Sequence, residues 1–224
     1  MLEKLIVMLT HNDKTVPDAA AVFEQCKDLP VTNWGFKDVG MQPEKMKELC
    51  HAMKKAGKTT FLEVVTYSEE ECLRGAKLAV ECEFDYLLGT LMYESVAKYT
   101  VEQGIKYLPF VGKVSGSPSI LEGNVADMVA QAEAFKKVGA YGTDLLGYRY
   151  VDGDPEALAA EFIKKSPIPT VLAGSISSIA KLEKVKAMDP WLFTMGSALF
   201  TANFVPGGNV YDNLAEICKI IKKM

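Results

Sequence analysis

The sequence predicts an α/β fold, a single (β/α)8 barrel of the TIM type, on three observations. Eight short, β-leaning apolar runs alternate with eight longer amphipathic ones, the length of 224 residues suits one barrel, and no Gly-rich dinucleotide fingerprint follows the first apolar run. The competing fold is an open doubly wound sheet. Such a sheet carries its phosphate-binding glycines in the first strand-to-helix turn, and Thr10-His11-Asn12-Asp13 has none.

The predicted strands are Leu5–Thr10, Trp34–Val39, Thr60–Val65, Tyr86–Leu91, Tyr107–Val114, Thr143–Tyr148, Thr170–Ala173 and Leu192–Met195. The predicted helices between and after them are Pro17–Leu29, Pro43–Ala56, Glu69–Cys82, Glu94–Gln103, Val125–Val138, Pro155–Lys165, Ile179–Ala187 and Val210–Lys222. Ser68 ahead of Glu69–Glu71 reads as an N-cap with acidic residues at the positive helix end, and Asp154-Pro155 puts proline in the first turn. Lys55-Ala56-Gly57 and Lys137-Val138-Gly139 read as helix stops at glycine. One continuous rhythm of this kind predicts one domain over residues 1–224.

Apolar residues make up 49% of the chain, enough for a large core. The 25 basic and 29 acidic residues leave a net charge of −4, which favours neither nucleic acid nor an anionic membrane as a partner. Catalysis on a small anion needs only a local positive site. Five cysteines without a C-x-x-C pair read as reduced core thiols, and no run reaches the length of a membrane helix. The apolar run Leu5–Thr10 is too short for a secretory signal, so the expected compartment is the cytoplasm. Self-association as a homo-oligomer is left open.

The strongest local chemistry lies in the last quarter. Strand seven runs into Ala173-Gly174-Ser175-Ile176-Ser177-Ser178 and strand eight into Gly196-Ser197-Ala198-Leu199-Phe200. In each, glycine lets an oxyanion approach the backbone, serine adds a donor, and the next turn offers free N–H groups. One Gly-Ser after a strand is weak, because glycine also ends strands for steric reasons. Two of them, after strands seven and eight of a barrel, stand where phosphate sites recur.

On these segments the chain resembles the ribulose-phosphate-binding barrels, the group that includes isomerases of histidine and tryptophan biosynthesis. The resemblance spans the chain as architecture, and at motif level rests on Ala173–Ser178 and Gly196–Phe200. It implies phosphate contacts from Gly174, Ser175, Gly196 and Ser197. The chain is also similar to small bacterial barrels with Gly-Lys-Val-Ser-Gly-Ser-Pro, Ala-Gly-Ser-Ile and Phe-Val-Pro-Gly-Gly segments, some of them designated 4-hydroxythreonine-4-phosphate dehydrogenase. The metal-dependent enzyme that owns that name uses several histidines, whereas His11 and His51 are the two present here. Two histidines do not make a catalytic zinc site, and neither a metal nor a cofactor is expected.

A charge inside a barrel strand is confined to the interior or the mouth. This filter selects Lys37 and Asp38 in Trp-Gly-Phe-Lys-Asp-Val, Glu63 in Phe-Leu-Glu-Val-Val, Lys113 in Phe-Val-Gly-Lys-Val, and Asp144 in Thr-Asp-Leu-Leu-Gly. Side chains alternate along a strand, so Lys37 and Asp38 both point inward only if the strand has already ended there. Glu63 is the surest inward carboxylate, and a buried charge needs a partner, so a Glu63–Lys contact is expected. The network either fills the barrel as ion pairs or performs general acid–base work. Lys113 is also a Schiff-base candidate if burial lowers its pKa.

His11, at the mouth after strand one, is either an acid–base group or a loop residue. Arg149, in Tyr148-Arg149-Tyr150, either clamps a substrate anion or hydroxyl or pairs locally with Asp152 or Asp154. Gly112–Asn124, rich in Gly and Ser, suits a mobile lid. Pro206-Gly207-Gly208-Asn209 either completes the phosphate pocket or caps the last helix.

The reading is thus an enzyme that moves protons on a phosphorylated sugar or related carbonyl metabolite. Catalytic residues come from Glu63, Lys113, Lys37, Asp144 and His11, and substrate contacts from Asp38 and Arg149. Isomerase or epimerase is preferred, with aldolase or decarboxylase next; the Asp-x-Lys-x-x-Asp signature of the sugar-phosphate decarboxylases is absent after strand three, which lowers decarboxylase. The alternatives are a flavin-mononucleotide oxidoreductase and a non-catalytic phosphometabolite-binding barrel.

Overall fold

The computed structural model describes residues 1–224. Eight parallel strands make the barrel: β1 (Leu5–Met8), β2 (Asn33–Lys37), β3 (Thr59–Val64), β4 (Tyr86–Gly89), β5 (Lys106–Leu108), β6 (Thr143–Leu145), β7 (Thr170–Leu172) and β8 (Leu192–Met195). Their order around the sheet is β6-β7-β8-β1-β2-β3-β4-β5. The ring closes just beyond β5, where Phe110 bridges Asp144 and the Asp144 N–H donates to the Pro109 carbonyl at 2.9 Å.

Around it lie α1 (Ala19–Cys26), α2 (Pro43–Lys55), α3 (Glu69–Glu81), α4 (Glu94–Gln103), α5 (Val125–Lys137), α6 (Pro155–Lys165), α7 (Ile179–Met188), α8 (Ser197–Phe200) and α9 (Val210–Lys223). The predicted caps are in place. Ser68 Oγ accepts from the Glu71 N–H, Asp154 accepts from two N–H groups with Pro155 behind it, and Gly57 and Gly139 follow their helices at positive φ. Asn209 and Asp212 form a capping box at α9, so Pro206–Asn209 starts a helix and does not line the mouth. The four-residue α8 went unpredicted.

Period-two alternation sorts the strand residues into two cores. Leu5, Val7, Phe36, Leu62, Val64 and Leu145 face the helices, where fifty-one buried residues pack. Ile6, Met8, Phe61, Tyr86, Leu88, Leu108, Val171 and Leu192 fill the barrel interior. Glu63 stands two residues beyond the inward Phe61, and Lys37 two beyond Gly35, whose missing side chain leaves room for the Met8 sulfur and the Phe61 backbone. The parallel register sets Lys37 opposite Glu63. All five cysteines are buried and free. No helix is long and apolar enough to cross a membrane.

The predicted strand five runs too far. Pro109 has no N–H for a ladder, Gly112 turns the chain at φ +84, and Lys113–Ser115 pairs with Ile120–Glu122 as an antiparallel hairpin outside the barrel. Strand six likewise stops at Leu145, and Gly147–Arg149 forms a 3-10 turn. After β1 the chain makes a second small hairpin, Thr10–His11 with Lys14–Thr15, turning on Asn12 and Asp13 at φ 50 and 58.

Candidate active site

At the C-terminal mouth a cavity of about 270 Å³ is bounded by strand ends and their loops. Gly174, Ser175, Ile176 and Ser177 line it from β7, and Gly196, Ser197 and Ala198 from β8. The four glycine and serine residues chosen from sequence therefore share one wall. Gly174 adopts φ +97 and Ser175 φ 45, a left-handed pair that turns the β7 loop across the mouth. Thr201 and Asn203, which no sequence signal marked, also line it. Asn203 donates to the Ser177 carbonyl at 3.1 Å and so fastens the two loops together. A side chain at Gly196 would put Cβ 3.0 Å from the Thr10 carbonyl and 3.3 Å from Met8, so this glycine admits a close strand before it admits any ligand.

The opposite wall carries the charges. Lys37 Nζ stands 3.9 Å from Glu63 Oε1 and donates to Asp13 Oδ1 at 3.0 Å, and Arg149 Nη2 donates to the same Asp13 oxygen at 3.1 Å. The predicted Glu63–Lys contact is thus made by Lys37. Arg149 pairs across the barrel with Asp13, while Asp152 accepts from the Gly123 N–H and Asp154 caps α6. Thr15 pins the end of β2, accepting from the Lys37 N–H at 3.0 Å and donating to the Lys37 carbonyl at 2.7 Å.

Burial alone would lower the Lys37 ammonium, but Glu63 and Asp13 outweigh it and hold its pKa above the ordinary value. Lys37 is therefore a fixed cation rather than a free amine. Partial burial would raise the Asp13 carboxyl, but Lys37 and Arg149 prevail and hold it below the usual range.

Asp144 points inward from β6 beneath this floor and is 1% exposed, and neither of its carboxyl oxygens has a hydrogen-bond partner. Complete burial, reinforced by the Glu63 charge and only partly opposed by Lys37, pushes its pKa well above the usual carboxylate range. Asp38 follows the last residue of β2, and its half-buried carboxyl faces an adjoining hollow. Burial first, with help from Glu63, pushes it up to about 6.

Four predicted site residues do not line this cavity: Asp144 is sealed beneath it, Asp38 faces the adjoining hollow, and Lys113 and His11 stand away from it. Lys113 is on the hairpin with its side chain 75% exposed, 3.4 Å from Glu122, because strand five ends before it. His11 leaves the strand direction at the small hairpin and stacks on Phe200 with ring centroids 6.1 Å apart. Neither lines the cavity. The segment Gly112–Asn124 is a tied hairpin rather than an open flap. The Tyr67 hydroxyl donates to the Gly116 carbonyl at 2.8 Å, Tyr150 donates to the Gly123 carbonyl at 2.8 Å, and Arg149 reaches the Ser119 carbonyl at 3.3 Å.

No protein-family model and no curated protein sequence matches the chain. Its likeness is to solved folds. A native KDPGal structure superposes with a TM-score of 0.68 at 13% identity, over 98% of this chain and 94% of that one. Orotidine 5'-phosphate decarboxylase from Pyrococcus horikoshii OT3 gives 0.68 at 11% identity, over 97% and 99%. N-acetylmannosamine-6-phosphate 2-epimerase from Clostridium perfringens gives 0.64 at 11% identity, over 87% and 86%. At these identities the likeness establishes the (β/α)8 barrel, and the chemistry has to be argued from the residues at its mouth.

Proposed function

We propose that the chain is an enzyme that moves a proton on a phosphorylated carbonyl metabolite, an isomerase or epimerase of sugar-phosphate type. The observation that carries this reading is one cavity lined on one side by Gly174–Ser177 and Gly196–Ala198 and on the other by the Lys37–Glu63 pair. Backbone N–H groups and serine hydroxyls are the donors a phosphate takes at such loops.

In this reading Glu63 removes a proton from the carbon next to the carbonyl, and the C–H electron pair becomes the enolate double bond. The carbonyl electrons move to oxygen, where the Lys37 ammonium offsets the new charge. Return of the proton to the former carbonyl carbon, with the neighbouring hydroxyl passing its own proton to the enolate oxygen, isomerises an α-hydroxy carbonyl compound, and return to the other face of the first carbon epimerises it. Arg149 and Asp38 contact the remainder of the substrate. A Lys37 held as a cation suits enolate stabilisation and does not suit a Schiff base, which needs the free amine. That favours proton transfer over an aldolase. The neighbours named for an epimerase and a decarboxylase of phosphorylated compounds agree with the reading at the level of fold.

Sulfate or phosphate diffused into crystals should bind within hydrogen-bond reach of both loops, and an anion seated elsewhere would sink the phosphate assignment. Glu63→Gln keeps the shape and removes the base. It should abolish turnover of the responding sugar phosphate while leaving phosphate affinity unchanged, whereas wild-type turnover would remove Glu63 from the mechanism.

A further inference from the structure

A second hollow of about 440 Å³ adjoins the first and shares Asp13, Lys37, Val65 and Ser119 with it. The Gly174 and Gly196 loops line only the first hollow, so the two lie end to end across the Asp13–Lys37 contact. The first alone falls just below the ~300–1,000 Å³ usual for ligand sites, room for a phosphate and a short carbon chain. The second is walled by Val39, by Tyr67 and by the hairpin tip Gly116–Ser119. Its far wall is held in shape, because the Tyr67 hydroxyl bonds the Gly116 carbonyl and Ser119 Oγ, each at 2.8 Å.

The Asp38 side chain lines this second hollow without a hydrogen bond from any other residue; the donor beside it is its own N–H, which also donates to the Glu63 carbonyl. Burial raises its pKa, and its own N–H with the charges of Lys37 and Arg74 offsets that cost only in part. A half-buried carboxylate with no donor from another residue, in a walled recess, is what a ligand donor satisfies.

We infer that the two hollows form one trough for an elongated monophosphate, with the phosphate at the glycine loops and a hydrogen-bond-donating, non-anionic end at Asp38. The inference rests on the phosphate reading proposed above. It names the substrate class as a phosphorylated chain longer than a triose, with hydroxyl or amino groups far from the phosphate. A carboxylate or second phosphate at that end meets Asp38 and is rejected by like charge and an unpaired acceptor.

Calorimetric titration of the full chain with four unreactive probes tests this. They are inorganic phosphate, glycerol 3-phosphate, glucitol 6-phosphate and 6-phosphogluconate. Glucitol 6-phosphate should bind about tenfold more tightly than glycerol 3-phosphate, as expected for one or two hydrogen bonds to a charged group. It should also outbind 6-phosphogluconate, which has the same length and a carboxylate at the far end. Asp38→Asn should erase the preference over 6-phosphogluconate. Val39→Trp, which fills the recess from an exposed position, should erase the preference over glycerol 3-phosphate while inorganic phosphate binds as before. If inorganic phosphate does not bind the wild-type protein, the phosphate reading itself fails and this inference with it. If inorganic phosphate binds but the six-carbon probe gains nothing, or keeps its gain in both variants, the trough is refuted and the phosphate reading stands.

Discussion

Asp144→Asn reports the charge state of the one acidic side chain among the buried polar groups, through the pH dependence of stability. The native carboxyl has no hydrogen-bond partner, and burial pushes its pKa well above the unfolded value. Below about pH 4 both folded and unfolded states carry the proton, so Asp144 costs nothing extra there. As pH rises past that point the unfolded chain releases its proton and the folded chain keeps it. Stability therefore falls as pH rises, until the raised folded pKa is reached. The slope is about 1.4 kcal/mol per pH unit for one group.

Between pH 4.5 and 6.5 the wild-type protein should lose stability through this residue for as long as the folded carboxyl keeps its proton. For a chain of this length each kcal/mol lost is roughly 2–4 °C in melting temperature. Asparagine has the same shape and cannot ionise. Its unpartnered amide adds a cost of about 1–3 kcal/mol that does not vary with pH. The readout is therefore the change with pH of the melting-temperature difference between variant and wild type, not the difference at one pH. The gap should move in favour of the variant by several degrees over that range. Because Glu63 is the charged neighbour, repeating the series in Glu63→Gln separates the two carboxyls. A gap that stays constant with pH in both backgrounds would show that Asp144 titrates like an exposed carboxylate, and the account of the barrel floor would be wrong.

Lys113→Ala removes an exposed ion pair with Glu122 and should change stability by about 1 kcal/mol or less, with no effect on ligand binding; a large loss of binding would return this lysine to the site. Gly174→Ala forces a side chain to φ +97 with Cβ 3.2 Å from Arg149 Cγ, so denaturant melts should show a loss of about 1–3 kcal/mol and titration a weaker phosphate complex. Asp13 is held below the usual carboxylate range, so its stabilisation is present above about pH 4 and disappears as pH falls through its lowered pKa. Asp13→Asn should flatten that acid limb of the stability curve, and an unchanged limb would mean that the Lys37 and Arg149 contacts contribute nothing.

What the sequence showed of the fold followed from two periods. The alternation of short apolar and longer amphipathic runs reproduces all eight barrel strands, and period two reads Glu63 as inward once Phe61 is placed in the core. The loops after β7 and β8 were legible because glycine next to serine marks a conformational need as well as donors. Lys113 misled because Phe110-Val111-Gly112-Lys113-Val114 continues the apolar rhythm of β5, while Pro109 and Gly112 have already turned the chain out of the ladder. Asp13 escaped notice as a site residue since its partners lie 24 and 136 positions away, and nothing local announces such a contact. Asn203 is the same case, tied to the β7 loop through a single carbonyl of Ser177.

The charges of the mouth bear on how the site would divide its work. The ionisable residues lining the first cavity are Asp13, Glu63, Lys37 and Arg149, two of each sign, and both cations already face carboxylates. A phosphate entering this cavity therefore finds no idle cation. The groups with donor capacity left for it are neutral: N–H groups of the two glycine loops and the hydroxyls beside them, with the buried and unpartnered Thr10 hydroxyl between the two walls. Under the proposed function, neutral donors fixed in place would hold the phosphate without engaging Lys37 or Glu63. The ion-paired wall would then stay available for the charge that the proposed reaction develops at the carbonyl end, where a preorganised ammonium has the most effect. On the proposed reading, anchoring by neutral donors and chemistry by paired charges would be separable in this cavity, which is why Glu63→Gln is expected to change turnover and not phosphate affinity.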